Sequence, residues 1–364
     1  MSNKILIIGS TGTLGSKLLN FCLKNNISIF ALTSFKNKKK LLLQKHKSNS
    51  KFSFNLSNLT EKEKFIFFLK KNKFKLVYFL DYGSYSLIYL DILIKNNKNC
   101  IFAIANKEMI IAGGHYLRKS INSSKNKLFP LDSEHYSLIN HNFNNSNISK
   151  IFITASGGPF YFFKNINLSS VNLNEVLNHP KWKMGINNTI DSSNFVNKFL
   201  EIFELSIIFD ISLNKIDFLV SREAFIHSVI VYKDNTIGIN CFKNDMLISL
   251  VKPLSDIFNV KIKSNSLKQV FNKKNFELNK FNDKRFKINK YFKVMKTLSH
   301  KNQIEFMLLN NRAHKLYLNN KIKYNHIVDF IFNNLSLNNE KFDLSSFKKI
   351  INYIEHQTKK YENL

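Results

Sequence analysis

The chain has 364 residues, and 55 lysine and arginine residues against 25 acidic ones give it a formal net charge of +30 at neutral pH. A hydrophobic fraction of 44% excludes a wholly disordered chain, and the length predicts two or three domains. No sequence window approaches the roughly eighteen uninterrupted apolar residues of a membrane span, so no membrane partner is expected. The first predicted strand begins within a few residues of Met1, so we also expect no signal peptide.

The positive charge is almost entirely lysine, because the chain has only four arginines. A basic chain suggests a nucleic-acid partner, but here lysine accompanies an excess of asparagine, isoleucine and phenylalanine, which is typical of drift toward AT-rich codons. We therefore interpret the charge as background and expect no nucleic-acid partner. Three widely separated cysteines indicate a reducing cytoplasm and no metal-thiolate cluster.

The first part of the chain alternates predicted strands with predicted helices. The strands are 4–8, 28–32, 76–80 and 100–103, and the helices are 16–24, 38–45, 61–70 and 85–94. This alternation predicts a parallel sheet with crossover helices. The polar stretch 140–147 indicates a boundary, so 1–147 is predicted to be a Rossmann-like dinucleotide-binding domain.

The rest of the chain predicts a different architecture. Residues 150–154 are expected to form a strand, 189–208 one long helix, and 225–232 with 236–242 a hairpin that turns at Asp234-Asn235. The predicted divisions are a central catalytic domain (148–263), a lysine- and asparagine-rich linker (264–290) and a C-terminal helical domain (291–364). The predicted fold class is thus α/β: an N-terminal Rossmann-like parallel sheet, a central α+β domain and a helical C-terminal domain.

Glycine is scarce, with ten in the whole chain, and three of these fall directly after the first strand. The segment reads Gly9-Ser10-Thr11-Gly12-Thr13-Leu14-Gly15. A strand, a glycine-rich turn and a helix let backbone N–H groups and a helix N-terminus meet a pyrophosphate, with the threonine hydroxyls as further donors. Small residues here also permit close strand-helix packing, but the position on the first βα turn favours a dinucleotide site.

The end of the second strand determines which dinucleotide is expected. NAD sites usually place an acid there to bind the ribose 2′-hydroxyl. The segment 33–38 contains no acid and carries Lys36, Asn37 and Lys38 instead. This favours the 2′-phosphate of NADP.

Two acids, Asp132 and Glu134, lie two residues apart. In an extended segment their side chains would face the same way and could reach one ion, although an isolated pair of this kind is more often a solvated turn. A second set, Asn194, Asn197, Lys198 and Glu201, follows helical spacing and shares one face. Such hard oxygen ligands suit Mg²⁺ or Mn²⁺ rather than Zn²⁺.

Two further segments have chemistry-bearing residues. Residues 154–159 end a strand with small hydroxyl and glycine residues, which suits a second phosphate or oxyanion site. Residues 179–185 hold the single tryptophan, Trp182, together with Met184, and Pro180 and Gly185 near the ends. This segment is either a core plug or a mobile lid over a substrate, and the residues alone leave both readings open.

Taken in order, six motifs resemble the 1-deoxy-D-xylulose 5-phosphate reductoisomerase family. They are Gly9-Ser-Thr-Gly-Thr-Leu-Gly15, Ala105-Asn-Lys-Glu108, Leu131-Asp-Ser-Glu-His135, Ser156-Gly-Gly-Pro-Phe160, His179-Pro-x-Trp-x-Met-Gly185 and Asn197-Lys198-x-x-Glu201. The resemblance covers roughly residues 4–240, and the later third matches mainly in length and helical pattern. It implies an NADPH-dependent homodimeric enzyme of the non-mevalonate isoprenoid pathway. Such an enzyme rearranges 1-deoxy-D-xylulose 5-phosphate, by retro-aldol cleavage and re-addition, and reduces the resulting aldehyde to 2-C-methyl-D-erythritol 4-phosphate.

The resemblance also implies roles for individual residues. It assigns a divalent ion (Mg²⁺, Mn²⁺ or Co²⁺) to Asp132, Glu134 and Glu201. It assigns the substrate phosphate to Ser156, His179, Ser192, Asn197 and Lys198. Near the reacting part of the substrate it places Lys107, Ser133 and Trp182, with Trp182 and Met184 on a flap, which favours the lid reading. The catalytic set is Asp132, Glu134, His179, Lys198 and Glu201, and the cofactor set is Gly9, Ser10, Thr11, Gly12, Thr13, Leu14, Lys36, Asn37, Asn106, Lys107, Glu108 and Gly185.

Three segments depart from the family pattern, at 81–84, 221–224 and 309–311. None removes a proposed metal ligand, but each changes the expected support of the site, which favours a slower enzyme.

Two other functions fit parts of the sequence. An NADP-dependent dehydrogenase of a different phosphorylated sugar or semialdehyde explains the glycine turn but not the acids. A basic nucleic-acid binder rests on the charge alone, and the few arginines oppose it.

Overall fold

The structure, a computed structural model, describes residues 3–141, 143, 147–178, 185–260, 275–337 and 342–364. The chain forms two compact units. The first comprises residues 1–139, 245–264 and 345–351, and the second comprises 140–244, 265–344 and 352–364.

The first unit contains a six-stranded parallel sheet in the order β3-β2-β1-β4-β5-β6. The strands are β1 Ile5–Ile8, β2 Ala31–Ser34, β3 Phe52–Asn55, β4 Leu76–Phe79, β5 Ile101–Ile104 and β6 Lys127–Pro130. All residues of β1, β2 and β4 are buried, as expected for a parallel sheet covered on both faces. The predicted Rossmann-like sheet is confirmed, and β3 and β6 are additions that the sequence patterns did not indicate.

Six helices of the first unit follow these strands: α1 Thr13–Lys24, α2 Lys38–Ser48, α3 Leu59–Lys71, α4 Ser86–Asn96, α5 Lys107–Ser123 and α6 Ser133–Tyr136. Asparagine caps several of them. Asn37, Asn58 and Asn106 each accept a hydrogen bond from the backbone of the first turn that follows, at α2, α3 and α5. The asparagine excess therefore has a structural use at helix starts.

The second unit contains a mixed five-stranded sheet in the order β10-β9-β7-β8-β11. Its strands are β7 Ile148–Ala155, β8 Ile216–Val220, β9 Ile226–Tyr232, β10 Ile237–Cys241 and β11 Asn279–Lys280. The β7–β8 pair is parallel and the other pairs are antiparallel. The predicted hairpin is confirmed as β9 and β10.

The predicted single helix over 189–208 is wrong, because the structure has two helices there. They are α8 Ile186–Ser193 and α9 Val196–Phe209, and α7 Leu173–Leu177 precedes them. At the break, Phe195 has a left-handed backbone with φ of 67°, and the Asn194 side chain accepts a hydrogen bond from Val196 N at 3.0 Å. A side chain that bonds its own backbone in this way competes with helix continuation.

The helix that follows the hairpin packs into the first unit, although it was predicted to be part of the central domain. This helix, α10 Leu247–Phe258, buries Leu250 and Leu254 in one hydrophobic cluster with Leu18 of α1. The Tyr78 hydroxyl of β4 also donates to the Leu250 carbonyl at 2.7 Å. Apolar burial rather than chain order therefore determines where α10 belongs.

The described part of the predicted linker is packed rather than loose. Residues 279–280 form β11, which pairs with β8, and the buried Phe286 ring contacts Phe195 with centroids 4.9 Å apart. Phe281 lies 4.4 Å from the same Phe195 ring. The lysine and asparagine bias concealed these aromatic residues, and residues 261–274 lie outside the described part.

The final part of the chain is helical, as predicted. Its helices are α11 Phe292–Met295, α12 His300–Leu318, α13 Ile327–Asn334 and α14 Phe347–Glu362. Across the described residues, every helix is too short or too polar to cross a lipid bilayer.

Candidate active site

The glycine turn after β1 requires glycine at two of its three positions. Gly9 has φ of +88°, and a Cβ there would lie 2.6 Å from the backbone N of Asp81. A Cβ on Gly15 would lie 2.4 Å from the Gly9 carbonyl oxygen. The two glycines therefore let the turn approach β4 and let α1 begin directly against the turn. Gly12 is the N-cap of α1 and is exposed, with the first-turn residues Thr13 and Leu14 beside it.

Residues outside the motif hold this turn. Ser10 N donates to the Thr33 carbonyl at 2.9 Å, and the buried Ser10 hydroxyl is 2.7 Å from Gln44 Oε1. Gln44 Nε2 donates back to the Ser10 carbonyl at 2.9 Å, and Lys40 Nζ donates to the Thr11 carbonyl at 2.7 Å. The side chain of Ser10 thus supports the turn. Sequence reasoning missed Gln44 and Lys40, since their contacts span about thirty residues and no local pattern marks them.

The end of β2 presents a basic surface. Thr33 and Ser34 are buried, whereas Lys36 and Asn37 are exposed, and the Asn37 side chain accepts a hydrogen bond from Lys40 N at 2.9 Å. No acid stands in segment 33–38. The exposed Lys36 therefore lies just after β2, and its contact with a 2′-phosphate stays a prediction.

Asn106 connects the start of α5 to the end of β4. Its amide donates to the Gly83 carbonyl at 2.9 Å and to Asp81 Oδ1 at 3.2 Å, while its own oxygen caps α5. Lys107 and Glu108, the next two residues, are both buried. Burial raises the pKa of Asp81 to about 6, against the effect of hydrogen bonds from Ser86 and Asn106.

We expected the segment with the paired acids to be extended, but the structure has a short helix there. Asp132 is the N-cap of α6, and Glu134 lies in its first turn. Ser133 joins the two acids, because its backbone N donates to Asp132 Oδ1 at 3.0 Å and its hydroxyl donates to Glu134 Oε2 at 2.7 Å. Lys107 Nζ forms an ion pair with Asp132. A helix start, rather than the expected extended segment, therefore brings the two carboxylates together.

In the second unit, α9 brings three predicted site residues together. Lys198 and Asn197 both donate to the Glu201 carboxylate, and all of these atoms are on one face of the helix. Lys198 Nζ also donates to the Thr154 carbonyl at the end of β7, at 2.8 Å. Glu201 and Lys198 are 2% and 6% exposed, so this is a buried charged cluster. Asn194, predicted on the same face, lies before α9 instead, between α8 and α9, where its side chain accepts a hydrogen bond from Val196 N.

The loop after β7 lies against the end of α8. Gly157 and Gly158 have φ of +89° and +59°, and a Cβ on Gly158 would lie 2.8 Å from the Ser192 carbonyl oxygen. Since Lys198 holds the end of the same strand, the structure brings the Ser156 loop, Ser192 and the start of α9 to one place. These are the segments for which a phosphate site was predicted.

Other predicted residues have different outcomes. His179, Trp182 and Met184 lie outside the described residues, so their predicted roles stay predictions. Gly185 is the N-cap of α8, and its carbonyl accepts the Thr189 hydroxyl at 3.0 Å.

The parallel sheet, the glycine turn and the basic end of β2 define a Rossmann-type dinucleotide-binding protein. A family model described as the 1-deoxy-D-xylulose 5-phosphate reductoisomerase C-terminal domain matches residues 128–209, and one described as the NAD dependent epimerase/dehydratase family matches residues 5–93. The 1-deoxy-D-xylulose 5-phosphate reductoisomerase of Pelagibacter ubique is 32% identical over 357 residues, covering 89% of this chain and 88% of the relative. The chain belongs to the 1-deoxy-D-xylulose 5-phosphate reductoisomerase family.

Solved structures of this family have the same fold. A DOX-P reductoisomerase in complex with NADPH, fosmidomycin and magnesium has a TM-score of 0.85 at 20% identity, covering 100% of this chain and 98% of the other. The Zymomonas mobilis enzyme in complex with NADPH has a TM-score of 0.83 at 21% identity, covering 100% and 99%.

Proposed function

We propose that the protein is an NADPH- and divalent-metal-dependent oxidoreductase that converts 1-deoxy-D-xylulose 5-phosphate to 2-C-methyl-D-erythritol 4-phosphate in the non-mevalonate isoprenoid pathway. Family membership supports the reaction. The observation that carries it to this chain is the buried cluster of Asn197, Lys198 and Glu201 beside the Ser156 loop, because a simple dehydrogenase has no need for it.

The first unit would bind NADPH. Backbone N–H groups of the glycine turn and the N-terminus of α1 would hold the pyrophosphate, and Lys36 and Asn37 the 2′-phosphate. Asn106, Lys107, Glu108 and Gly185 would contact the rest of the cofactor. The contacts of Gln44 and Lys40 fix the turn before the cofactor binds. This lowers the conformational-entropy cost of cofactor binding.

The chemistry of the donor set fits a divalent ion, because Asp132, Glu134 and Glu201 offer hard carboxylate oxygens. When bound, such an ion polarises substrate oxygens and stabilises the negative charge that develops on them. The described hydrogen bonds orient these ligands, with Ser133 on the first two carboxylates and Asn197 on the third. Lys107 and Lys198 each form an ion pair with one of these carboxylates, Asp132 and Glu201 respectively.

The second unit would bind the substrate phosphate through Ser156, Ser192, Asn197 and Lys198, with His179 added from the flap. A phosphate held far from the reacting carbons provides binding energy that orients those carbons. Trp182 and Met184 would cover the substrate and exclude water. One carbon–carbon bond of the substrate breaks and another forms, and a hydride from NADPH then reduces the resulting aldehyde.

A coupled assay tests this proposal. Purified protein with NADPH, Mg²⁺ or Mn²⁺ and 1-deoxy-D-xylulose 5-phosphate should consume NADPH, and EDTA should stop the reaction. No turnover with any divalent ion would refute the proposal. Turnover of another phosphorylated sugar that survives EDTA would instead indicate the alternative dehydrogenase.

A substitution of the buried acid tests its role. Glu201→Gln should lower kcat at least 100-fold while the Kd for NADPH stays within twofold, because the change removes a ligand charge and leaves the first unit intact. The matched control is Glu175→Gln, an exposed acid in the capping box of α7, where glutamine can replace glutamate. A changed NADPH affinity in Glu201→Gln would show that the residue has a different role.

We also propose that the enzyme is a cytoplasmic homodimer with no nucleic-acid partner. By function, we propose a cofactor-binding part (1–147), a catalytic part (148–263), a linker (264–290) and a helical C-terminal part (291–364). Free cysteines support a reducing compartment, since Cys22 and Cys100 are buried and unbridged and Cys241 is exposed. Light scattering at micromolar concentration should give twice the chain mass. A DNA affinity that falls steeply with salt would contradict the absence of a nucleic-acid partner.

A further inference from the structure

A buried carboxylate in the second unit is held by a helix from much later in the chain. Asp191, in the last turn of α8, is 3% exposed. Its Oδ1 accepts hydrogen bonds from Asn310 Nδ2 at 2.9 Å and from His314 Nε2 at 2.8 Å. Both donors lie on α12 and are 2% and 1% exposed.

The spacing of the two donors makes this a built contact. Residues 310 and 314 are four apart, so they share one face of α12 and reach the same carboxylate oxygen. A carboxyl group this deeply buried requires such donors, because a buried polar oxygen that loses a hydrogen-bond partner costs free energy. Asn310 and His314 therefore restrain the last turn of α8.

The restrained turn is the one that carries Ser192. Ser192 follows Asp191 directly, and its carbonyl lies so close to the 156–158 loop that glycine is needed at 158. On the other side, Phe195 keeps its left-handed backbone while its buried ring packs among Phe281 and Phe286. The segment 191–195 is thus fixed at both ends, by polar contacts at Asp191 and by aromatic packing at Phe195.

We propose that Asn310 and His314 are positioning residues for the substrate phosphate: by holding Asp191 they keep Ser192 against the 156–158 loop. The inference rests on the proposed function, in which Ser192 binds that phosphate.

The test replaces the donor without changing the size of the side chain greatly. His314→Leu should raise the KM for 1-deoxy-D-xylulose 5-phosphate at least fivefold, with kcat and the KM for NADPH within twofold of wild type. His314→Gln, whose amide can still donate to Asp191, should restore most of the loss. Asn310→Ala removes the other donor and should also raise the KM for the sugar phosphate. It provides the test if His314→Leu does not fold.

The control separates positioning from general destabilisation. Ile304→Ala changes a fully buried residue of α12 that lies ten positions before His314, about 15 Å along the helix axis. It should lower the melting temperature without raising the KM for the substrate. An unchanged substrate KM in both His314→Leu and Asn310→Ala, or an equal rise in Ile304→Ala, would overturn the inference.

A second readout separates this inference from the proposed function. If wild type fails to turn over the sugar phosphate, the proposed function is wrong, and stabilisation by inorganic phosphate still decides the positioning role. Phosphate should raise the melting temperature of wild type and of His314→Gln more than that of His314→Leu. An equal rise in all three, or no rise in wild type, would refute the inference.

Discussion

At the scale of single residues, Asp81 is the ionisable group whose environment has the clearest consequence. It follows β4, next to the glycine turn, and desolvation raises its pKa to about 6 despite hydrogen bonds from Ser86 and Asn106. The folded protein therefore keeps a proton on Asp81 that the unfolded chain has already released between about pH 4 and 6. As the pH rises through that window, the free energy of unfolding should fall by about 1 to 3 kcal/mol.

Asp81→Asn removes this titration. The variant should gain stability relative to wild type by about 1 to 3 kcal/mol when the pH rises from 4 to 7.5, because asparagine stays neutral throughout. Urea unfolding at both pH values measures it. Asp91→Asn, which removes a surface ion pair with Lys95, should change stability by no more than about 1 kcal/mol. An Asp81→Asn difference that does not vary with pH would contradict the assignment.

Residue-scale prediction worked where local chemistry demands one residue type. Gly9 and Gly15 were identifiable because each allows a close backbone approach, whereas the role of Lys36, inferred from the missing acid of an NAD site, stays a prediction. Gln44 and His314 were not identifiable, because their partners are about thirty and more than one hundred residues away. A side chain with no local signal gains meaning only when the fold supplies its partner.

At the scale of elements, the proposed phosphate subsite depends on the junction of β7, α8 and α9. Helical periodicity predicted one helix over 189–208, because the apolar pattern continues through residue 195. At the break, Phe195 packs against the aromatic rings of residues 281 and 286. The periodicity of 189–208 cannot predict this packing, because the partner rings lie more than eighty residues further along the chain. Similarly, α10 joins the first unit through its apolar face, which no boundary signal indicates.

Gly158→Ala tests the close approach at this junction. The new Cβ would lie 2.8 Å from the Ser192 carbonyl oxygen on a backbone with φ of +59°, so the loop or α8 must shift. We expect the KM for the sugar phosphate to rise about tenfold, since a shift of about 1 Å can cost that much or more. Steady-state kinetics measure this.

The matched control for that substitution is Gly238→Ala on β10. A Cβ there would meet its nearest neighbour, the Tyr232 ring, at 3.7 Å, which is ordinary contact. Its kinetics should stay within twofold of wild type. If Gly158→Ala behaves in the same way, Ser192 and the 156–158 loop do not share one subsite.

At the scale of the whole molecule, the net charge of +30 should affect encounter with anionic ligands. Both NADPH and the sugar phosphate are negatively charged, and the field of a cationic protein raises their association rates. Raising NaCl from 20 to 300 mM should therefore lower kcat/KM severalfold, while kcat changes less, because salt screens long-range attraction. Kinetics at constant pH over this range test the expectation. A kcat/KM that is independent of salt would leave the charge without a kinetic role.

The burial of two of the three cysteines lets folding be followed by a colorimetric thiol assay on the wild-type protein. Cys241 on β10 is exposed, whereas Cys22 and Cys100 are buried, and desolvation raises the pKa of the Cys22 thiol to about 12. Ellman's reagent should therefore titrate one thiol in the native protein and three in denaturant, since thiolate and access control the reaction. Three fast-reacting thiols without denaturant would contradict this burial. A maleimide dye on Cys241 could then follow substrate binding in the second unit by fluorescence.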